Sequence, residues 1–204
     1  MQYDVFQMDD EVFYTSDSLT GEVYERYLAK TSVIGIDPYQ IPESDFSYDY
    51  SDLPDVFESN HIAHYCLNTK SPYTWEDLLS YKSLESYNQF VNGWVGEIRC
   101  RRFTEYVVVR ASVRHSQSAN KAPLQPWVIT EITGKVLSGH CDCMAGLGEV
   151  CTHVSAMLFA MEAIIKIRNN KTVTDEPAYW MLPNTVKKIP YAPIAEIDFR
   201  LHFK

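Results

Sequence analysis

Cys141, Cys143, Cys151 and His153 stand in the pattern C-x-C-x7-C-x-H, and no other feature of this 204-residue chain restricts its folding so strongly. Zinc takes four tetrahedral ligands drawn from thiolate sulfur and imidazole nitrogen, so a single ion can be held by all four side chains. The C-x-C pair leaves a predicted strand, where a bend turns both sulfurs to one side. Gly146 and Gly148 in the loop supply the dihedrals that return the chain to the ion. Cys151 and His153 then fall at the start of a predicted helix, where free amides and the positive dipole end favour thiolate. Four protein ligands close the shell, and the chain has neither an H-E-x-x-H segment nor a nucleophile elbow. The zinc is therefore expected to be structural, with no catalytic constellation in the chain. Glu149 reads as an ordinary exposed loop carboxylate. His140 is excluded as a competing ligand because adjacent strand side chains point to opposite faces. His61, His64 and Cys66 form a weaker grouping that lacks a fourth ligand.

The apolar pattern around the motif sets the elements. Residues 103–115 (FTEYVVVRASVRH) are rich in β-branched side chains, as are 127–131 (WVITE) and 135–141 (KVLSGHC). The short turn at Thr133-Gly134 makes the last two a β-hairpin, and a three-stranded antiparallel sheet is expected. Val154, Met157, Leu158, Met161, Ile164 and Ile165 recur at helical spacing and predict a helix over 152–168. Thr74 to Asp77 match a capping box. With Trp75, Leu78, Leu79, Leu84, Tyr87 and Val91 they predict one broken or two short helices over 74–91, within a helical segment 71–95. Pro177, Pro183, Pro190 and Pro193 predict an extended tail over 172–204. The fold class is α+β: a small antiparallel sheet plus a C-terminal helix around one structural zinc. The sheet and finger occupy 96–171, with the finger core at 127–168. A finger of ~45 residues supplies little hydrophobic core, and zinc replaces it, with apparent binding energies of roughly 10–16 kcal/mol in finger peptides.

Charge is divided unevenly. Residues 1–58 hold 14 acids and 2 bases, a net −12, while the remainder holds 13 acids and 16 bases, a net +3. Within residues 1–70 only Leu19, Val23, Tyr27 and Leu28 show helical spacing, so this acidic arm is expected to be largely disordered with one short helix, followed by a link over 59–73. It reads either as a segment that docks onto a protein partner or as a solvated tail. Arg99, Arg101, Arg102, Arg110, Arg114 and Lys135 are the candidate nucleic-acid residues, since the arginine fork suits phosphate. Alternation places Arg110 and Arg114 on one side of a strand. Lys121, Lys166, Arg168 and Lys171 extend that surface. The same arginines read equally well as a solvated edge strand that blocks aggregation.

The string LQPWVITEITGKVLSGHCDCMAGLGEVCTHVSAMLFAMEA resembles the SWIM zinc finger, in which C-x-C-x(n)-C-x-H lies between a β-hairpin and a helix. The likeness is strongest over 120–168, weaker over 74–119 and 172–200, and absent from the acidic arm. The string looks like the SWIM segment of a transposon-like animal group in which SWIM is often followed by a YqaJ-type exonuclease domain. The resemblance implies a ββα zinc fold with Cys141, Cys143, Cys151 and His153 as ligands. It also implies DNA binding in a transposon- or recombination-related nuclear protein, or a protein-interaction adaptor without nucleic-acid binding. A remnant of a larger nuclease-containing protein with no activity of its own is a third reading.

Five cysteines, three of them clustered within eleven positions, fit metal ligation in a reducing compartment better than a disulfide framework. An intracellular location is expected. No apolar run approaches the ~18 residues that span a bilayer, and the acidic N-terminus does not resemble a secretory signal. No membrane partner is expected.

Overall fold

The structure is a computed structural model that describes residues 15–68, 76–115, 121–143, 145 and 149–170, with side chains of the third helix described from Leu84 onward. Four helices and four strands follow one another as α1 (Gly21–Thr31), α2 (Ser59–Asn68), α3 (Glu76–Val91), β1 (Val95–Arg102), β2 (Tyr106–Val113), β3 (Trp127–Glu131), β4 (Val136–His140) and α4 (Thr152–Asn170). The class is α+β. The strands form one antiparallel meander in the order β1-β2-β3-β4.

The sheet has one strand more than the alternation of 103–115 suggested. Phe103 closes a tight turn by donating its amide to the Tyr106 carbonyl, so the chain before it pairs back onto β2 as β1. The expected hairpin is β3–β4. Gly134 sits in its turn at φ +94°, where a side chain would also overlap the Val56 carbonyl. The expected broken helix over 74–91 is one continuous α3, and α4 runs to Asn170, two residues past the expected end. The capping box at Thr74, the tail 172–204 and the loop glycines Gly146 and Gly148 lie outside the described residues.

Both sheet faces are covered. Ile98, Cys100, Val107, Val109, Ala111, Val113 and Val128 point to one side, where they meet Val154, Met157, Leu158, Met161 and Ile165 of α4 and Ile62 and Tyr65 of α2. Val108, Trp127 and Ile129 point to the other, where they meet Leu19, Tyr27, Ile41 and Phe46. That second layer comes from the acidic arm, and residues 15–68 are folded where disorder was expected. Three single 3-10 turns (Ser16–Ser18, Glu43–Asp45, Tyr50–Asp52) and extended stretches carry its apolar side chains inward one at a time. No sequence period records such an arrangement. The expected apolar face of the short helix is realised only in part: Tyr27 is buried, while Val23 and Leu28 remain exposed. The expected link contains α2, whose Ile62 and Tyr65 join the main core. The core is accordingly larger than a lone finger would have, and Cys141, Cys143 and Cys151 belong to it.

Candidate metal centre

The candidate metal centre lies where β4 ends and α4 begins. Gly139, two residues before Cys141, allows the close packing there: a Cβ would press on the Tyr65 hydroxyl, Val128 and Val154. Cys141 and Cys143 follow directly from β4, Cys151 immediately precedes α4, and His153 lies in its first turn. All four are buried, and their ligand atoms lie within 4.8 Å of one another. A tetrahedral ion with bonds of ~2.3 Å separates its sulfurs by about 3.8 Å, so the cluster could hold one metal ion. None of the five cysteines is in a disulfide.

Local chemistry favours ligation. Cys151 occupies the cap position of α4: its Sγ accepts the Val154 amide at 3.4 Å, and its carbonyl accepts the Ser155 amide at 3.1 Å. This is how a capping side chain satisfies an orphan helix donor. Burial pushes the Cys151 thiol up, but hydrogen bonds from Cys141, Cys143 and His153 outweigh it and hold the group well below the usual thiol range. Burial pushes Cys141 up. Cys143 is lowered by its bond to Cys141 but raised overall by its bond to Cys151 and by burial. Burial lowers His153, yet its bond to the Cys151 thiolate raises it overall. The neighbours thus favour the charged form of Cys151, the form in which a thiol binds a divalent cation. His153 Nδ1 lies 4.0 Å from Cys141 Sγ, and its Nε2 is buried without a hydrogen-bond partner. Nδ1 is thus the ring nitrogen shown beside a cluster sulfur.

Four contacts that no sequence pattern announces brace this cluster. Asp142, between the first two cysteines, is buried and accepts the Gln125 amide through Oδ1 at 2.8 Å. Its carboxyl is raised, first by burial. Glu149 is not an exposed loop carboxylate. It is buried at φ +67°, with its Oε1 2.5 Å from Arg26 Nε and 3.3 Å from Lys30 Nζ. The Tyr65 hydroxyl donates to its carbonyl at 3.1 Å. The loop between Cys143 and Cys151 is thereby fastened to α1 and α2. No sequence signal announces this, because Arg26 and Glu149 are 123 positions apart.

The other candidates are placed elsewhere. His140 is buried against Tyr27, Tyr39 and Trp127, away from the sulfur cluster. His61 Nδ1 accepts the Glu58 amide, Cys66 pairs with the Ser155 hydroxyl, and His64 is exposed. Among the described residues, only Cys141, Cys143, Cys151 and His153 gather as a metal cluster.

The nucleic-acid candidates do not form one open surface. Arg99 and Arg110 both pair with Glu43, and Arg101 pairs with Asp45 at 2.8 Å. Arg102, on the opposite face, pairs with Asp55 at 3.2 Å. Arg110 is buried, whereas Arg114 is exposed just beyond the end of β2. Lys135 is exposed and pairs with Glu131 at 3.7 Å. Lys166 pairs with Glu162, and Arg168 donates to the carbonyls of Tyr50, Leu53, Pro54 and Asp55. Glu43, Asp45 and Asp55, which pair with the four strand arginines, belong to the arm, which the sequence presented as a separate acidic segment. No helix among the described residues is long and apolar enough to cross a membrane. No protein-family model matches the chain, and no curated protein or solved structure matches it significantly.

Proposed function

We propose that Cys141, Cys143, Cys151 and His153 bind one zinc ion in a SWIM-type module that acts by binding and not by catalysis. The observation that carries this reading is the burial of three thiols and an imidazole whose ligand atoms lie within 4.8 Å of one another. Thiolates with an imidazole suit zinc better than harder cations. Four protein ligands leave no position at which water could be activated, so the metal's work is to join β4 to α4. Metal analysis of protein purified with zinc should return one zinc per chain. Cys151→Ser or His153→Ala should each lose the metal together with the ordered hairpin–helix unit. A variant that kept both its zinc and its circular dichroism would refute the assignment.

The partner we infer is a protein. Arg99, Arg101, Arg102 and Arg110, which would meet phosphate, are already neutralised by carboxylates of the same chain. Leu84, Tyr87 and Val91 stand exposed at helical spacing along α3, a grouping typical of contact surfaces. DNA binding, in a transposon- or recombination-related protein, is the second reading. It rests on the SWIM resemblance and on the exposed Arg114 and Lys135. A salt series on the zinc-loaded chain separates the two, because phosphate contacts release counterions and make affinity fall steeply with salt. Micromolar binding with that slope, lost in Arg114→Ala/Lys135→Ala, would establish the DNA reading in place of the protein one. Absence of binding at low salt would remove the DNA reading.

A further inference from the structure

Arg99 on β1 and Arg110 on β2 are direct cross-strand partners. Like charges so placed repel, and these side chains are only 14% and 10% exposed. The arrangement needs an anion between them. The chain supplies Glu43, whose Oε1 meets Arg99 Nη1 and whose Oε2 lies 3.7 Å from Arg110 Nη1. The second separation exceeds hydrogen-bond reach. Arg99 Nε and Arg110 Nε are, in addition, buried donors without a partner. A two-oxygen carboxylate leaves this site with more donors than acceptors.

The guanidinium groups are nonetheless fixed in place. Arg110 lies over the rings of Tyr39 and Phe46 at 5.8 and 5.1 Å, and Arg99 lies 5.9 Å from the same Phe46 ring. Arg99 Nη2 also donates to Gln125 Oε1 at 2.9 Å. Glu43, by contrast, occupies a single 3-10 turn, and its side chain is 52% exposed. It can swing outward while buried Ile41 and Phe46 keep the segment anchored.

We propose that Arg99 and Arg110 form an oxyanion site for a phosphate monoester dianion, which Glu43 fills in the free protein. Charge decides the ligand class. A phosphodiester carries one negative charge, no more than Glu43, which competes at an intramolecular effective concentration on the order of millimolar. A monoester carries about −1.5 to −2 and three acceptor oxygens. It therefore exceeds Glu43 in charge and satisfies donors that Glu43 leaves unmet. The site does not depend on whether the larger partner is a protein or DNA.

The test is a titration of zinc-loaded full chain with inorganic phosphate, followed through the arginine Nε–H signals in ¹⁵N-resolved NMR spectra. Glu43→Gln removes the competing charge while keeping side-chain shape. It should bind phosphate about tenfold or more tightly than the unmodified protein, as expected when an intramolecular competitor is removed. The Arg99 and Arg110 signals should shift. Arg99→Lys in that background keeps the charge but loses the fork, and should return affinity to the unmodified level or below with an otherwise native spectrum. A 5′-phosphorylated dinucleotide run beside its unphosphorylated form distinguishes the source. Binding of the phosphorylated form alone assigns the site to nucleotide or strand-end monoesters, and binding of neither assigns it to free phosphate. Equal phosphate affinity for the unmodified chain and Glu43→Gln would overturn the proposal, as would binding that leaves both arginine signals unmoved.

Discussion

Replacing Phe46 by Ala tests whether the acidic arm is part of the fold. Phe46 is 6% exposed, packed in the cluster with Trp127 and Ile129. Truncating a buried Phe to Ala costs about 3–5 kcal/mol through lost transfer energy and the cavity left behind. The ring also carries the guanidinium groups of Arg99 and Arg110, contacts worth about 0.5–1 kcal/mol each at partly exposed sites. A total of about 4–7 kcal/mol is a large share of the ~5–15 kcal/mol by which domains are stable. With a urea m-value of about 2 kcal/mol/M, the midpoint should fall by roughly 2–3.5 M. The control is Tyr48→Ala, two residues on and 53% exposed, which should change stability by less than ~0.5 kcal/mol. Zinc content at zero urea should stay at the unmodified value, because Phe46 and the sulfur cluster lie on opposite sheet faces. A Phe46→Ala midpoint within ~0.3 M of the unmodified protein would mean that the arm does not pack on the sheet. The covered arginine face and the Glu43 site would then fall together.

Glu149→Gln leaves Lys30 buried without its counter-ion. Burial already depresses the Lys30 amine, and the Glu149 charge opposes that depression. Breaking a buried pair costs up to about 3–5 kcal/mol, and solvent at the half-exposed Arg26 reduces this to about 2–3 kcal/mol, readable by thermal unfolding. Zinc affinity should fall with it, and an unchanged melting temperature would show that the loop is not fastened to α1. Glu162 gives a pH signature. Burial raises its carboxyl, but hydrogen bonds from Lys166 and Ser59 outweigh this and hold it below its ordinary 4.5. Its stabilisation is therefore complete above pH 4.5 and is lost as pH falls through the lowered folded-state value. The stability difference between the unmodified chain and Glu162→Gln should be constant from about pH 8 to 5 and shrink below 4.5, with acid release of metal cancelling in the comparison. A difference that grows on acidification would contradict this assignment.

The four residues of the candidate metal cluster were legible in the sequence because their chemistry is carried by residue type and short spacing. Cysteine and histidine at C-x-C and C-x-H need only a strand end and a helix start to meet, and local pattern supplies both. The β3–β4 hairpin and α4 were readable for the same reason, since Thr133-Gly134 and the Val154–Ile165 spacing act within a few residues. Only the tertiary structure decided the rest. β1 has weak alternation and exists because Phe103 turns the chain back onto β2. The arm looked disordered because Leu19, Ile41 and Phe46 belong to no common period, and their partner Trp127 lies far along the chain. Glu43 and Glu149 looked like surface acids until folding set them beside Arg99, Arg110, Arg26 and Lys30. Sequence records charge and apolarity by position, whereas neutralisation and burial depend on distances between remote residues, which exist only after the sheet has gathered both layers.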